Sequence, residues 1–362
     1  MSYSGVNQAG SSAPGADKVW GTTPVGAKVE RKRDIVQATG ELHEYCKSVL
    51  PSIEDSIQEQ IESLNSMIVP VASHILNSGG KRLRPLLCIL VAAALGRRDS
   101  SVYPLASAIE MVHSATLLHD DILDNAEMRR GKKAAHLVFG VRETILAGDA
   151  LLAQANRIVS QYRDTELVDC LSEAISSTAA GEILEIQKMA NPDLNKEEYL
   201  EIIKGKTAYL IQASCEGGAI LSESDLNRSG LRQRARNMGL NLGIAFQLVD
   251  DALDYTPSPE LGKPQGSDLR EGKITLPMIY FLNDLDYQER TALVSRIKNG
   301  SLGESELDSV MNSIQERMLH DRTRSEADFY IASAYQELNG FPASREKVFL
   351  GQMLEYLRCR EN

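Results

Sequence analysis

From about Asp34 onward the apolar positions recur at helical rather than strand spacing. Between 52 and 68 the series is Ile53, Ile57, Ile61, Leu64 and Ile68, at steps of four, four, three and four. The stretch 105–123 carries Leu105, Ile109, Val112, Leu117, Leu118 and Ile122, and 229–254 is a long segment interrupted only by glycines. Alternating strand patterns are absent. Breaks are expected at Asn77-Ser78-Gly79-Gly80, Asn191-Pro192, Pro257-Ser258-Pro259 and Gly300. The pattern predicts ten or more helices in one all-α domain over residues 34–362. No composition shift marks a linker. Residues 1–33 are rich in Gly, Ser and Ala and read as a disordered N-terminal tail.

Composition narrows the class. The chain has 362 residues, 43% hydrophobic and 25% charged, ordinary for a globular protein able to bury a large core. A net charge of −11 argues against non-specific nucleic-acid binding. The five cysteines are scattered without CxxC spacing, and the six histidines lack zinc spacing. No apolar run approaches the ~20 residues of a membrane span. The ending Cys359-Arg360-Glu361-Asn362 lacks the aliphatic middle of a prenylation box. Two destinations stay open: the cytoplasm, free or peripheral to a membrane, and the mitochondrion, for which the tail is poor in arginine.

What changes the picture is an acidic pattern that occurs twice, at Asp120-Asp121-Ile122-Leu123-Asp124 and Asp250-Asp251-Ala252-Leu253-Asp254. Each copy puts carboxylates at i, i+1 and i+4, and i and i+4 share a helix face. Like charges at that spacing oppose the helix unless a cation lies between them. Oxygen-only donors suit a hard cation such as Mg²⁺, which completes its shell with substrate phosphates. Two metal clamps facing one polyphosphate are therefore expected, although a solvated acidic face is the blander reading of either copy alone.

Cations surround the pattern. His113, Asp120 and Asp124 lie within about 40° of one another on a helical wheel. Arg129-Arg130-Gly131-Lys132 follows the first copy. Arginine's planar fork donates in pairs, which suits phosphate. Upstream, Gly79-Gly80-Lys81-Arg82-Leu83-Arg84-Pro85 places three cations near a helix start, a second anion site. Phe246-Gln247 precedes the second copy, and Lys263 and Lys273 follow it. Lys206-Thr207 lies between the two copies.

Together these blocks resemble the trans-type isoprenyl diphosphate synthases over about residues 40–360. HSATLLHDDILDNAEMRRGK (113–132) is most similar to the long-chain polyprenyl branch that makes quinone side chains; GKTAYL (205–210), FQLVDDALDY (246–255) and SDLREGKITLP (267–277) match further family blocks. The resemblance implies a helical bundle of the isoprenoid synthase type, with a central cavity between the two acidic helices. It implies three Mg²⁺ held by Asp120 and Asp124, with Asp121 in support, and by Asp250, with Asp251 and Asp254 nearby. The substrates would be an allylic diphosphate, farnesyl or related, and isopentenyl diphosphate. By the same resemblance Arg129, Lys206, Lys263 and Lys273 bind the allylic diphosphate. Lys81, Arg84, His113 and Arg130 bind isopentenyl diphosphate. Thr207 and Gln247 stabilise the allylic cation, with Lys206 beside them. The family norm is a homodimer, and some long-chain members need a second, different subunit.

In this family product length is read just before the first acidic copy. Ala115 and Thr116 stand there, both small, so the growing chain is expected to pass, with Met111 one turn deeper as a later floor. The wheel itself sets Ala115 well round from the carboxylates, so its importance comes from the resemblance. A geranylgeranyl product and the catalytic subunit of a heteromeric synthase remain alternatives. A terpene cyclase would not need Lys81, Arg84 and Arg130. A regulatory subunit commonly loses aspartates that this chain keeps. An EF-hand needs its ligands in a loop. Glu182 and Glu185 are read as structural, as is His119.

Overall fold

The computed structural model describes residues 25–188, 191–222, 228–257 and 266–360, with side chains from residue 40 apart from 228–229. The chain divides into two compact units, 1–41 and 42–362. Within the first unit, residues 25–41 are helical, so helix begins ahead of the expected boundary at residue 34; residues 1–24 lie outside the described residues.

Among the described residues there are sixteen α-helices. They are α1 (Val25–Glu62), α2 (Val69–Leu76), α3 (Leu83–Ala94) and α4 (Val102–Leu123), then, after a short hairpin, α5 (Ala135–Phe139), α6 (Val141–Ser160), α7 (Thr165–Lys188) and α8 (Lys196–Ile203). A π-helical turn, Lys204–Ala208, leads directly into α9 (Tyr209–Ser222) and is followed by α10 (Arg228–Asp254). The remainder are α11 (Ser267–Arg270), α12 (Leu276–Asn283), α13 (Tyr287–Lys298), α14 (Glu304–Glu316), α15 (Leu319–Asn339) and α16 (Arg345–Cys359). The expected breaks at 77–80, 191–192 and 300 are found, whereas Ser258 and Pro259 lie outside the described residues.

One periodic stretch does not form one helix. The series 52–68 ends as helix at Glu62, and α2 starts anew at Val69. Asn65 is the physical reason, because its side-chain oxygen accepts from the Met67 backbone N–H at 3.0 Å. Such a local bond offers the backbone an alternative to the helix ladder, and Pro70 is well placed in the first turn of the next helix.

Helices α3 and α9 are central. Every residue of α3 from Pro85 to Ala94 is buried, and so is every residue of α9 from Leu210 to Ile220. A helix that is buried all round must have neighbours on every side. Accordingly both contribute to two apolar clusters, one built with α10 and α12–α16, the other with α1, α2, α4, α6 and α7.

The hairpin between α4 and α5 is the one β element among the described residues. Its strands, β1 (Met128–Arg129) and β2 (Lys132–Lys133), pair antiparallel. Arg130 and Gly131 both have positive φ (51° and 77°), as a two-residue type I′ turn requires. No helix of the described residues is long and apolar enough to cross a membrane.

Candidate active site

The first acidic copy closes α4. Asn125 takes the left-handed conformation at φ 50°, the Ala126 N–H donates to Asp121 O at 2.9 Å, and the Asn125 N–H donates to Ile122 O at 3.3 Å. This Schellman pattern ends the helix at Asp124 and leaves its carboxylate at the rim. Asp121 faces inward, 1% exposed, and accepts from Arg129 Nε at 2.8 Å and also from Nη2. Arg130, one residue on, turns away and donates to the Gly79 carbonyl. The chain reverses at Arg130, the first residue of the turn, so two adjacent arginines take different partners, Asp121 and the Gly79 carbonyl.

The second copy closes α10. Asp251 is 2% exposed and accepts from Gln247 Nε2 at 2.8 Å, one helical turn back. The Gln247 carbonyl in turn accepts from Thr207 Oγ1 at 2.9 Å. Asp254 serves the next element: it accepts from the Ser267 N–H at 3.0 Å, the Ser267 hydroxyl at 2.6 Å and the Asp268 N–H at 3.0 Å, and so caps α11. Asp250 pairs with Arg360 at 3.0 Å.

Lysines connect the two regions. Lys273, downstream of the second copy, lies 3.9 Å from Asp124 of the first. Lys206, on the π turn, is 2.5 Å from Glu185 and 3.6 Å from Glu182. Burial, followed by the negative charge of Glu182, pushes Asp120 up to about 7, against the pull of Lys206. Burial lowers the Lys206 ammonium, but Glu185 and Glu182 outweigh it and hold Lys206 above the ordinary lysine range. Burial, then Asp268 and Asp254, raises Asp251 well above the carboxylate range. Both copies therefore belong to one electrostatic neighbourhood.

Beside it opens a cavity of about 810 Å³. Its cationic wall holds Lys81, Arg84, Arg129 and Arg130 with the His113 ring among them, and its apolar wall includes Ile211, Leu242, Phe246 and Met353. Thr207, Gln247 and Asp250 also line it. A smaller cavity of about 120 Å³ lies behind, lined by Lys206, Thr207, Gln247, Asp251, Asp268 and Lys273. Burial, then the cations Arg84 and Arg130, holds His113 well below the usual histidine value. Burial also lowers Arg84, with Arg130 adding to it against the pull of Glu110.

Among the sequence-predicted residues, Lys263 lies outside the described residues. Arg82, part of the basic run, also lines the larger cavity, but its guanidinium is taken up by the protein's own carboxylates. It is 3% exposed and is bound by Glu54 (2.8 and 3.0 Å), Glu110 (3.0 Å) and the Leu76 carbonyl (2.6 Å), so it anchors the loop instead. Ala115 and Met111 are fully buried in the apolar cluster that includes α4 and α6, and neither lines these two cavities. Thr116 is half-buried and donates to His113 O at 2.8 Å. Sequence reasoning missed Arg360, which lines the larger cavity, and no motif signals it. It also left Glu182 and Glu185 without chemistry; their three-residue spacing upstream of a conspicuous lysine was the available signal.

Among the described residues no three carboxylate, histidine or cysteine side chains converge as a ready-made metal cluster. The donor chemistry nevertheless fits a hard cation. Every candidate ligand is a carboxylate, and Asp121 and Asp251 each keep one buried oxygen without a hydrogen-bond partner.

The polyprenyl synthetase family profile matches residues 65–314 of this sequence. The chain belongs to that family. It is a trans-polyprenyl diphosphate synthase, a prenyltransferase that condenses isoprenoid units into a polyprenyl diphosphate. This synthase is 35% identical over 295 residues to an all-trans-nonaprenyl-diphosphate synthase (geranyl-diphosphate specific) of Rhodobacter capsulatus, covering 81% of this chain and 89% of that protein. Among solved structures it is similar to a decaprenyl diphosphate synthase from Rhodobacter capsulatus, at 31% identity and TM-score 0.81, covering 88% and 98% of the two chains. It is equally similar in shape to a geranylgeranyl pyrophosphate synthetase from Pyrococcus horikoshii, at 29% identity and TM-score 0.81, covering 89% and 99%.

Proposed function

We propose that this synthase extends an allylic diphosphate of the farnesyl class with isopentenyl diphosphate, head to tail, to a long-chain all-trans polyprenyl diphosphate for quinone side chains. The observation that carries the reading is Lys273 reaching Asp124 across the two acidic regions, beside a cavity with its own cationic wall. Two diphosphates need two cationic seats, and the side chains supply them. Arg129, Lys206 and Lys273 are the seat for the leaving diphosphate, with Lys263 assigned by resemblance. Lys81, Arg84, His113 and Arg130 are the seat for isopentenyl diphosphate.

Asp120, Asp124 and Asp250 would hold Mg²⁺, with Asp121, Asp251 and Asp254 in support. Bound Mg²⁺ supplies Lewis-acid stabilisation of the charge that develops on the leaving diphosphate. The chain's own part is to orient and to solvate. The Thr207–Gln247–Asp251 hydrogen-bond series fixes the Gln247 amide with its carbonyl toward Thr207. Neutral oxygens at that place stabilise an allylic cation without capturing it, as a carboxylate would. The isopentenyl double bond then attacks, and the proton it sheds passes to the departing pyrophosphate.

Product length is assigned to Ala115, Thr116 and Met111. Small side chains on α4 leave the softest route for a growing chain, and Met111 is flexible enough to yield. A homodimer is proposed from the exposed apolar side chains of three successive, mutually packed helices: Leu137 and Val138 on α5, Val141, Ile145 and Leu146 on α6, and Ile183 and Ile186 on α7. A monomer by light scattering at micromolar concentration would sink that assignment.

The deciding assay combines the purified chain, Mg²⁺, farnesyl diphosphate and labelled isopentenyl diphosphate, with products sized by chromatography. A long-chain product supports the reading. Arrest at a C20 product makes it a geranylgeranyl-type synthase, and incorporation only with a second protein makes it a heteromer subunit. Ala115→Phe is expected to shorten the product; an active variant with unchanged product length overturns the length assignment.

A further inference from the structure

Helix α7 meets the π turn through two glycines. A Cβ on Gly181 would come within 2.5 Å of Gly205 Cα, and one on Gly205 within 2.4 Å of Gly181 Cα. Only backbone-to-backbone contact fits there. That contact brings Glu182 and Glu185, on adjacent turns of α7, against Lys206 of the π turn. Single π turns inside helical segments are frequent at functional sites, because they re-aim one side chain.

The charge count at this contact is uneven. Four carboxylates, Asp120, Asp124, Glu182 and Glu185, act on one another; Lys206 pairs with Glu185 and Glu182, and the second ammonium, Lys273, lies at the far side, 3.9 Å from Asp124. Glu182 and Glu185 sit three residues apart, a spacing at which like charges repel on a helix. Lys206 is therefore the cation that lets Glu182 and Glu185 coexist when no metal is bound. On the functional reading above, the same ammonium is needed by the leaving diphosphate.

We propose that Glu185 is a positioning residue that holds Lys206 as the resident counter-ion of the empty acidic site. Lys206 passes to the diphosphate as a divalent cation takes over the neutralisation of that carboxylate group. Glu185 thereby makes cation entry and diphosphate binding one exchange. It keeps the site from binding a diphosphate alone, and it keeps Lys206 near enough to transfer. The inference rests on the proposed function, since it takes Lys206 as a diphosphate ligand.

The test is direct binding to the full chain, with Mn²⁺ followed by electron paramagnetic resonance and inorganic pyrophosphate by calorimetry. Glu185→Gln frees Lys206, so metal-free pyrophosphate affinity should rise about five- to tenfold. Its Mn²⁺ affinity without pyrophosphate should fall, because the freed ammonium shifts toward Asp120. Lys206→Met should do the reverse, tightening Mn²⁺ and weakening pyrophosphate. A purely structural role for Glu185 would lower both affinities or leave both alone, and either result in a folded Glu185→Gln protein overturns the proposal. Should that variant lose its fold, Glu185→Asp retracts the carboxylate by one methylene and must shift the two affinities in the same opposed directions. Prenyl transfer by the wild type, measured separately, tests the underlying functional reading.

Discussion

The two acidic regions share a five-residue pattern and differ in how the protein uses it. In the first, the inward carboxylate of Asp121 is secured by Arg129, so Asp120 and Asp124 are left for other partners. The carboxylate of Asp120 accepts no described hydrogen bond, and Asp124 has the Lys273 ammonium at 3.9 Å. In the second, Asp251 is held by Gln247, Asp254 caps α11, and Asp250 pairs with Arg360. Repetition in sequence is thus not equivalence in structure. The element beyond each helix decides the difference: a hairpin that returns an arginine after α4, and a short helix that needs a cap after α10.

The contrast can be broken by paired substitutions. Asp120→Asn should lower kcat about a thousandfold, the scale of several kcal/mol of lost charge stabilisation. Asp254→Ala should lose much less rate but cost about 1 kcal/mol of stability, as removal of a helix cap does. Steady-state kinetics with parallel thermal melts separate them. Equal rate losses with unchanged melting would abolish the asymmetry.

The next largest effect is on stability. Arg129→Ala leaves the buried Asp121 carboxylate unpaired, at a cost of roughly 3 kcal/mol in urea unfolding. Adding Asp121→Asn should recover part of that loss. If Arg129→Ala alone is neutral, Asp121 is not secured in the way its geometry indicates. Arg130→Ala should instead leave unfolding unchanged and raise KM for isopentenyl diphosphate about thirtyfold. If the two neighbouring arginines behave alike, the hairpin does not separate their tasks.

The smallest effect concerns pH. Folded His113 takes up a proton less readily than the unfolded chain, whose histidine value is 6.5. Between the two values the unfolded state binds more protons, so stability rises with pH across that window. The contribution is complete above 6.5 and is lost as the pH falls below it. Denaturation curves for the wild type and His113→Gln should therefore diverge only below about pH 6.5.

Much of this was legible in the sequence. The periodicity of 105–123 and 229–254 gives α4 and α10, whereas the position of the i, i+1, i+4 carboxylates at the C-terminal ends of those helices is not contained in the pattern. The rest depended on contacts that periodicity does not encode. Asn65 splits a continuous apolar series through one side-chain bond. Arg82 looks like its neighbours Lys81 and Arg84, and only the positions of Glu54 and Glu110 make it an anchor. Glu185 became relevant when two distant glycines brought α7 onto the π turn. Ala115 is small in sequence, but its complete burial is a property of packing alone.

The hairpin at 128–133 makes the site sensitive to length as well as to composition. Deleting or adding one residue in that ribbon would keep nearby charges largely intact while shifting the strand register and the turn that set Arg129 and Arg130 on different partners. A change invisible to any tally of charges would then displace both arginines from their partners. The six residues of this ribbon should therefore tolerate exchange of Met128 or Lys133 far better than a single insertion between them.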